Sequence, residues 1–444
     1  MVASNFTRQS AKGNHTRHRR RAHPLRRGRG EPRTSHPFPV RSVNAPRPVT
    51  VLCVASFFKG EEFLRECKRL GCRVLLLTVE KLREENWPRE AIDEVYYMPD
   101  LYDRDDVFHG VSYLARSEDI ARIVPLDEYD LEMASALREH LRVPGMGETT
   151  VRYFRDKLAM RMRAEEAGIR VPEFAPVINY DRLRDYMARV PAPWVLKPRT
   201  AASAMGIRKI HDSEQLWRAL DELGDKQSFH VLEHFVPGKV FHVDSVVWKR
   251  EIVFAEANGY FDPPFDVYHG GGLFSTRTLD RTSAEAEELR AMNSVVAQTF
   301  GILRGVLHTE FIRGHDDGKL YFLETAARVG GANIVEMVEA ATGVNLWREW
   351  ARVEVADARG HEYTVPDARR DHGGLLVTLA RQEWPDTSAY SDPEIVWRMN
   401  KRHHVGLAVA SPDPSRVDEL LTSYMRRFRE DFYTSLPPAM EANN

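Results

Sequence analysis

A chain of 444 residues with 43% apolar composition exceeds one ordinary domain and predicts two or three cores. Three cysteines exclude a disulfide framework, and no run approaches the ~18 apolar residues of a membrane span. The net charge of −2 hides an asymmetry: residues 1–48 hold twelve Lys/Arg against the single acid Glu31, a net +11, which leaves −13 on the rest.

Rich in Pro, Ser, Gly and His and without apolar periodicity, residues 1–48 are predicted to be a disordered basic tail. Its HRRRAHPLRRGRG run suits nucleic acid or an acidic surface, but an inert extension or a start codon placed too early is the commoner explanation. Paired arginines with no apolar segment after them are not an export signal. Cys53, Cys67 and Cys72 fall in one early βα region without metal spacing, and read as buried thiols of a cytoplasmic protein.

Residues 49–145 alternate strand and helix patterns: an apolar strand at 49–55, an amphipathic helix at 61–70, and strands at 73–79, 95–97 and 122–126. A helix follows at 130–141, and the order predicts a parallel, Rossmann-like sheet with helices on both faces. The first turn, Ser56-Phe57-Phe58-Lys59-Gly60, lacks the G-x-G-x-x-G of dinucleotide binding. Asp127, Glu128 and Tyr129 follow a strand end, where they either meet a substrate or serve the start of the next helix.

A charged helix is predicted over 149–168, with Lys157 on it. PWVLKP at 193–198 is a short strand ending on Lys197, and buried lysines are rare without a partner. The small-residue loop RTAASAMGIR suits close approach of backbone N–H groups to phosphate, but lacks P-loop order. HVLEHFVPG turns from a strand into a hinge, and His242 and Asp244 then share one face of a strand. YHGGGLFSTR, residues 268–277, is predicted to be a mobile loop closing on a ligand or a plain surface loop.

After a helix over 283–300, residues 305–333 read as a hairpin. A three-residue loop at Asp316-Asp317-Gly318 pairs His315 with Lys319 and sets Glu310 opposite Glu324. Facing carboxylates repel unless a hard cation such as Mg²⁺ or Mn²⁺ lies between them or both point into solvent. Arg328 follows, then Gly330-Gly331 and a helix over 334–342. A last α+β unit is predicted at 366–436, and its His403-His404 pair reads as structural or exposed.

In this order, RDKLAMR, WVLKP, the small-residue loop, LEHFVPG, HTEF and FLETAARVGG resemble the ATP-grasp superfamily over roughly residues 50–355, nearest its carboxylate–amine ligases, including amino-acid ligases and biotin-carboxylase-like proteins. The resemblance implies an α/β and α+β multidomain chain: a pre-ATP-grasp domain at 49–145, an ATP-grasp domain of two α+β subdomains at 146–355, and the small C-terminal unit. It implies that Lys157 and Lys197 hold ATP phosphates under a flap containing Ser203 and Gly206. Glu233, His234, Phe235 and Val236 match the adenine hinge, Glu310 and Glu324 the magnesium carboxylates, and Arg328 the arginine that orients the reacting carboxylate.

Two positions depart from the family pattern. Ala326 stands where an Asn usually completes the metal site, so Thr325, Asn333 or water would substitute. Val240 stands where a glutamate usually binds ribose, which leaves His242 or Asp244 for that contact. The implied activity is ATP- and Mg²⁺-dependent activation of a carboxylate as an acyl phosphate and its capture by an amine, with Arg277 as a second carboxylate clamp and His269 as a base. The alternative is a non-catalytic nucleotide-binding or regulatory protein. Small-molecule substrates are the expected partners, not membrane or nucleic acid, with homodimer formation left open.

Overall fold

The computed structural model describes residues 48–202, 205–270 and 272–434, without the side chains of 268–270. The basic tail lies outside them. Four parallel strands, β1 (Thr50–Ala55), β2 (Arg73–Val79), β3 (Glu94–Met98) and β4 (Ile120–Pro125), form a sheet of order β3-β2-β1-β4. All six residues of β1 are buried, as a central parallel strand covered on both faces requires. The chain reverses direction across the sheet between β1 and β4, so the crevice beyond their carboxyl ends is the ligand-facing side of such a sheet. Asp127 and Glu128 stand there. Cys53, Cys67 and Cys72 are free and buried.

Between this sheet and the next, the helix expected over 149–168 is broken. Glu148–Val151 and a single 3-10 turn end at Asp156, whose carboxylate caps a new helix, Lys157–Glu166, through Leu158 and Ala159 N–H. Lys157 is therefore the first residue of a buried helix start, with its N–H bonded to Arg199 O at 2.8 Å, and not a solvated residue in mid-helix.

A small antiparallel sheet follows: β5 (Phe174–Pro176), β6 (Trp194–Pro198), β7 (Arg208–Ile210) and β8 (His230–His234), ordered β5-β8-β6-β7. Helices Tyr180–Arg189 and Ser213–Leu223 cover it with Leu183, Tyr186, Leu216 and Leu220.

The large sheet contains β9 (Gly238–Trp248), β10 (Glu251–Tyr260), β11 (Phe274–Thr278), β12 (Gly305–Gly314), β13 (Leu320–Ala326), β14 (His372–Leu379), β15 (Ile395–Arg398) and β16 (His404–Ser411). Their order is β13-β12-β9-β10-β11-β14-β16-β15. The C-terminal strands thus continue the large sheet through β11–β14 pairing and do not fold apart from it. Residues 274–277 of the predicted 268–277 loop belong to strand β11, and a short helix, Pro264–Gly270, takes up its start. Helix Ala284–Phe300 packs Leu289, Val296 and Phe300 on the face that carries Phe241, Phe311 and Phe322. The opposite face is left for the site.

The hairpin closes one residue earlier than expected. Gly314 N–H bonds Lys319 O and Gly318 N–H bonds Gly314 O, both at 3.0 Å, with Gly318 in the left-handed region. A bulge between Glu310 and Phe311 then shifts the register back, so Phe311 faces Phe322 while Glu310 still faces Glu324. Leu323 is the extra residue. It lets Phe322 enter the core while Glu324, two residues on, faces the cavity.

Candidate active site

A cavity of about 890 Å³ lies where the small sheet, the large sheet and the start of helix Lys157–Glu166 meet. Lys157, Lys197, Glu233 to Val236, Glu310, Glu324 and Arg328 all line it.

Lys157, Lys197 and Arg328 each have a protein carboxylate beside them. Lys157 Nζ lies 2.9 Å from Glu324 Oε2 and donates to Ala201 O at 2.7 Å. Lys197 Nζ donates to Glu233 Oε2 at 2.7 Å. Arg161, fully buried one helical turn after Lys157, reaches Glu233 at 3.0 Å and also donates to Leu323 O, the carbonyl freed by the bulge. Burial alone would raise the Glu233 pKa; Arg161 and Lys197 overcome it and hold the carboxyl at about 2.

The Arg328 guanidinium donates to Glu128 Oε2 through Nε (3.2 Å) and NH2 (2.8 Å), and to Val329 O through NH1 (3.0 Å). Arg155, itself buried, donates to the other Glu128 oxygen at 2.9 Å. Burial opposes ionisation of Glu128, but Arg328, Arg155 and Lys157 keep its pKa at about 2. The helix-start reading of the strand-end acids holds for Asp127, while Glu128 pairs with two arginines. Asp127 caps the next turn through Tyr129 N–H, and Glu128 reaches across to the site.

Glu310 Oε1 accepts from Tyr260 OH at 2.8 Å and meets His308 Nε2 at 3.3 Å. Beneath them lies a buried polar chain. His308 Nδ1 is 2.9 Å from Asp244 Oδ1, and His242 Nδ1 is 2.6 Å from Asp244 Oδ2. Asn258 Nδ2 donates to Asp244 at 3.1 Å, and His242 Nε2 meets Thr276 Oγ1 at 2.8 Å. Burial works against a charge on His308, yet Asp244 and Glu310 raise its pKa to about 9. His242, without that second carboxylate contact, is lowered by burial.

Four expectations need correction. His242 and Asp244 are fully buried and bonded to one another beneath the cavity, so neither faces a ribose. Arg277 alternates with Thr276, which points toward His242 on the cavity face. It therefore turns to the face that carries helix Pro414–Asp431, where it pairs with Asp418 at 2.9 Å and stacks on Phe261, while still bordering the cavity. Thr325 bonds Thr309 at 2.8 Å on the core side of the hairpin, and the Asn333 side chain bonds Glu336, so neither is placed as a third metal ligand. In the hinge, His234 N–H is held by Glu173 O and Phe235 N–H by Pro193 O, and Val236 N–H has no backbone acceptor among the described residues. Gly206 turns with φ 68°. Ser203 and the side chain of His269 lie outside the described residues.

Sequence reasoning missed Arg155, Arg161, Tyr260 and His308. Arg161 is four residues from Lys157 in RDKLAMR, a spacing that shares a helix face. His308 alternates with Glu310 in HTEF and so shares its strand face. No local signal marks Tyr260.

A parallel-sheet domain followed by two antiparallel sheets closing on one cavity is the architecture of the ATP-grasp fold. A family model for the ATP-grasp domain matches residues 162–342. It is 27% identical over 270 residues to an L-arginine-specific L-amino acid ligase of Bacillus subtilis, covering 59% of this chain and 64% of that protein. It is 26% identical over 195 residues to a D-alanine–D-alanine ligase of Neisseria gonorrhoeae, covering 43% of this chain and again 64% of the relative. The matches thus span less than two thirds of these relatives' length. Among solved structures, an L-amino acid ligase of Bacillus licheniformis superposes with a TM-score of 0.69 at 17% identity, over 88% of this chain and 99% of that one. An N5-carboxyaminoimidazole synthetase of Staphylococcus aureus in complex with ADP gives 0.66 at 15% identity, over 85% and 97%. No described helix is long and apolar enough to cross a membrane.

Proposed function

We propose that this chain is an ATP-dependent ligase that activates a carboxylate as an acyl phosphate and joins it to an amine. One observation carries the reading: Lys157, Lys197 and Arg328 converge with the paired Glu310 and Glu324 on one cavity, each cation already neutralised by a protein carboxylate. Buried ion pairs of this kind can be exchanged for ligand phosphates without stranding an unpaired charge.

In this reading Lys157 turns from Glu324, and Lys197 from Glu233, toward the phosphates, while Arg161 keeps Glu233 neutralised. Val236 N–H, with Val195 and Phe235 beside it, receives the base. The facing oxygens of Glu310 and Glu324 are the hard donor set a divalent cation takes, and both line the cavity. Mg²⁺ bound there supplies charge neutralisation at the transferring phosphoryl group. Arg328, fixed on Glu128, presents its remaining N–H bonds to the acceptor carboxylate. Helix Pro264–Gly270 borders the cavity through Pro264, Phe265 and Val267, where it excludes water from the activated acyl group. We assign the cytoplasm as its compartment, in keeping with three free buried thiols.

The test is ADP release from the purified chain with amino acids and other carboxylates, singly and in pairs, with products read by mass spectrometry. ADP release that requires a carboxylate and an amine together is expected. Mg-ATP binding without turnover on any pair would favour the non-catalytic alternative. ADP release indifferent to every amine or other nucleophile would defeat the ligase reading.

A further inference from the structure

The metal site has an unusual neighbour. Ala326, at the place where the family usually has an amide ligand, is buried and lies directly across the hairpin from His308. The paired positions put the small methyl group on the same face as the imidazole. His308 and Glu310, two residues apart on β12, point to the same face, with Nε2 and Oε1 3.3 Å apart. Two donors each about 2.1 Å from one ion, at roughly a right angle, lie about 3 Å apart. The pair is thus spaced as two ligands of one ion.

The rest of the ring is held as a ligand's would be. Metal-binding imidazoles commonly give their other ring N–H to a carboxylate, which fixes tautomer and orientation. Here Nδ1 faces Asp244 Oδ1 at 2.9 Å, and Asp244 is itself gripped by His242 and Asn258. The turn after β13 closes over this pair: a Cβ at Gly330 would come within 2.7 Å of Asp244 Oδ1 and 3.0 Å of His308 Nδ1. His242 is not a competing ligand, because Asp244 and Thr276 engage both of its nitrogens.

We propose that His308 Nε2 is the third protein ligand of the divalent ion held by Glu310 and Glu324, in place of the amide missing at 326. The proposal rests on the metal-site reading of those two glutamates. When the ion binds, the proton on Nε2 leaves to solvent and the lone pair faces the ion. A mixed imidazole–carboxylate donor set accepts Mn²⁺ more readily than an all-oxygen site does, whereas Mg²⁺ keeps its preference for oxygen. The site is therefore expected to favour Mn²⁺ over Mg²⁺.

Pulsed electron paramagnetic resonance of Mn²⁺ on the full chain, without nucleotide, tests this directly. Nitrogen hyperfine coupling is expected, changing from ¹⁴N to ¹⁵N in protein grown with ¹⁵N-histidine, and needing no variant that has to fold. His308→Gln should remove the coupling and weaken Mn²⁺ binding roughly ten-fold or more. Mn²⁺ bound in a Glu324-dependent manner but without histidine coupling would overturn the proposal and leave the two-glutamate site standing. No Mn²⁺ binding that Glu324→Gln abolishes would overturn both.

Discussion

Replacing Glu128 by Gln removes one charge, keeps the shape, and leaves Arg328 and Arg155 facing an amide. The magnitude follows from the carboxyl itself, which moves from 4.5 in the free residue to about 2 when folded. A carboxyl depressed to that degree stabilises the folded chain by about 3 kcal/mol at neutral pH, in the range measured when one partner of a buried pair is removed. Because the folded pKa is the lower one, this contribution is complete above 4.5 and disappears as pH falls through about 2. Urea unfolding followed by tryptophan fluorescence should therefore show Glu128→Gln weaker by about 3 kcal/mol at pH 7, with the gap closing between 4.5 and 2. The same variant should lower kcat with little change in KM for ATP, since Arg328 loses its orientation and the nucleotide contacts do not. A loss below about 1 kcal/mol together with unchanged turnover would refute the coupling of Glu128 to Arg328.

Lys157→Met is expected to weaken ATP binding by about ten-fold or more, the worth of one charge-assisted hydrogen bond, measured by calorimetry. Arg277→Ala should leave turnover within about two-fold and stability within about 1 kcal/mol, because its partner Asp418 is half-exposed and on the far face. A large loss of activity would return Arg277 to the substrate. Gly330→Ala should cost about 1–3 kcal/mol, read by thermal unfolding, since its methyl group would press on Asp244 and His308.

The parallel domain and the facing glutamates were legible because each rests on periodicity or on turn chemistry, whereas the two-subdomain layout came from the resemblance. The Glu310–Glu324 pairing was nevertheless reached through a loop one residue too short. The bulge at Leu323 cancels that offset, and alternation alone would have placed Phe322 and Glu324 on one face. Lys157 looked solvated because the break at Asp156 depends on a cap that a charged helical run conceals. Arg277 was drawn into the site by a glycine-rich stretch whose end is strand, and strand alternation then turned it away. Glu128, Arg155 and Tyr260 act across elements far apart in sequence, beyond the reach of any window of local spacing.

The joining of β14 to β11 bears on how the chain can be shortened. A version ending before His372 would keep every residue of the ATP-grasp match at 162–342. It would nonetheless leave β11 with a bare hydrogen-bonding edge and uncover Leu273, now buried in one cluster with Leu376. Such an edge invites pairing between copies, so the truncated chain is expected to aggregate. The C-terminal strands act as the selvedge of the large sheet, the finished border that keeps it from joining its neighbour.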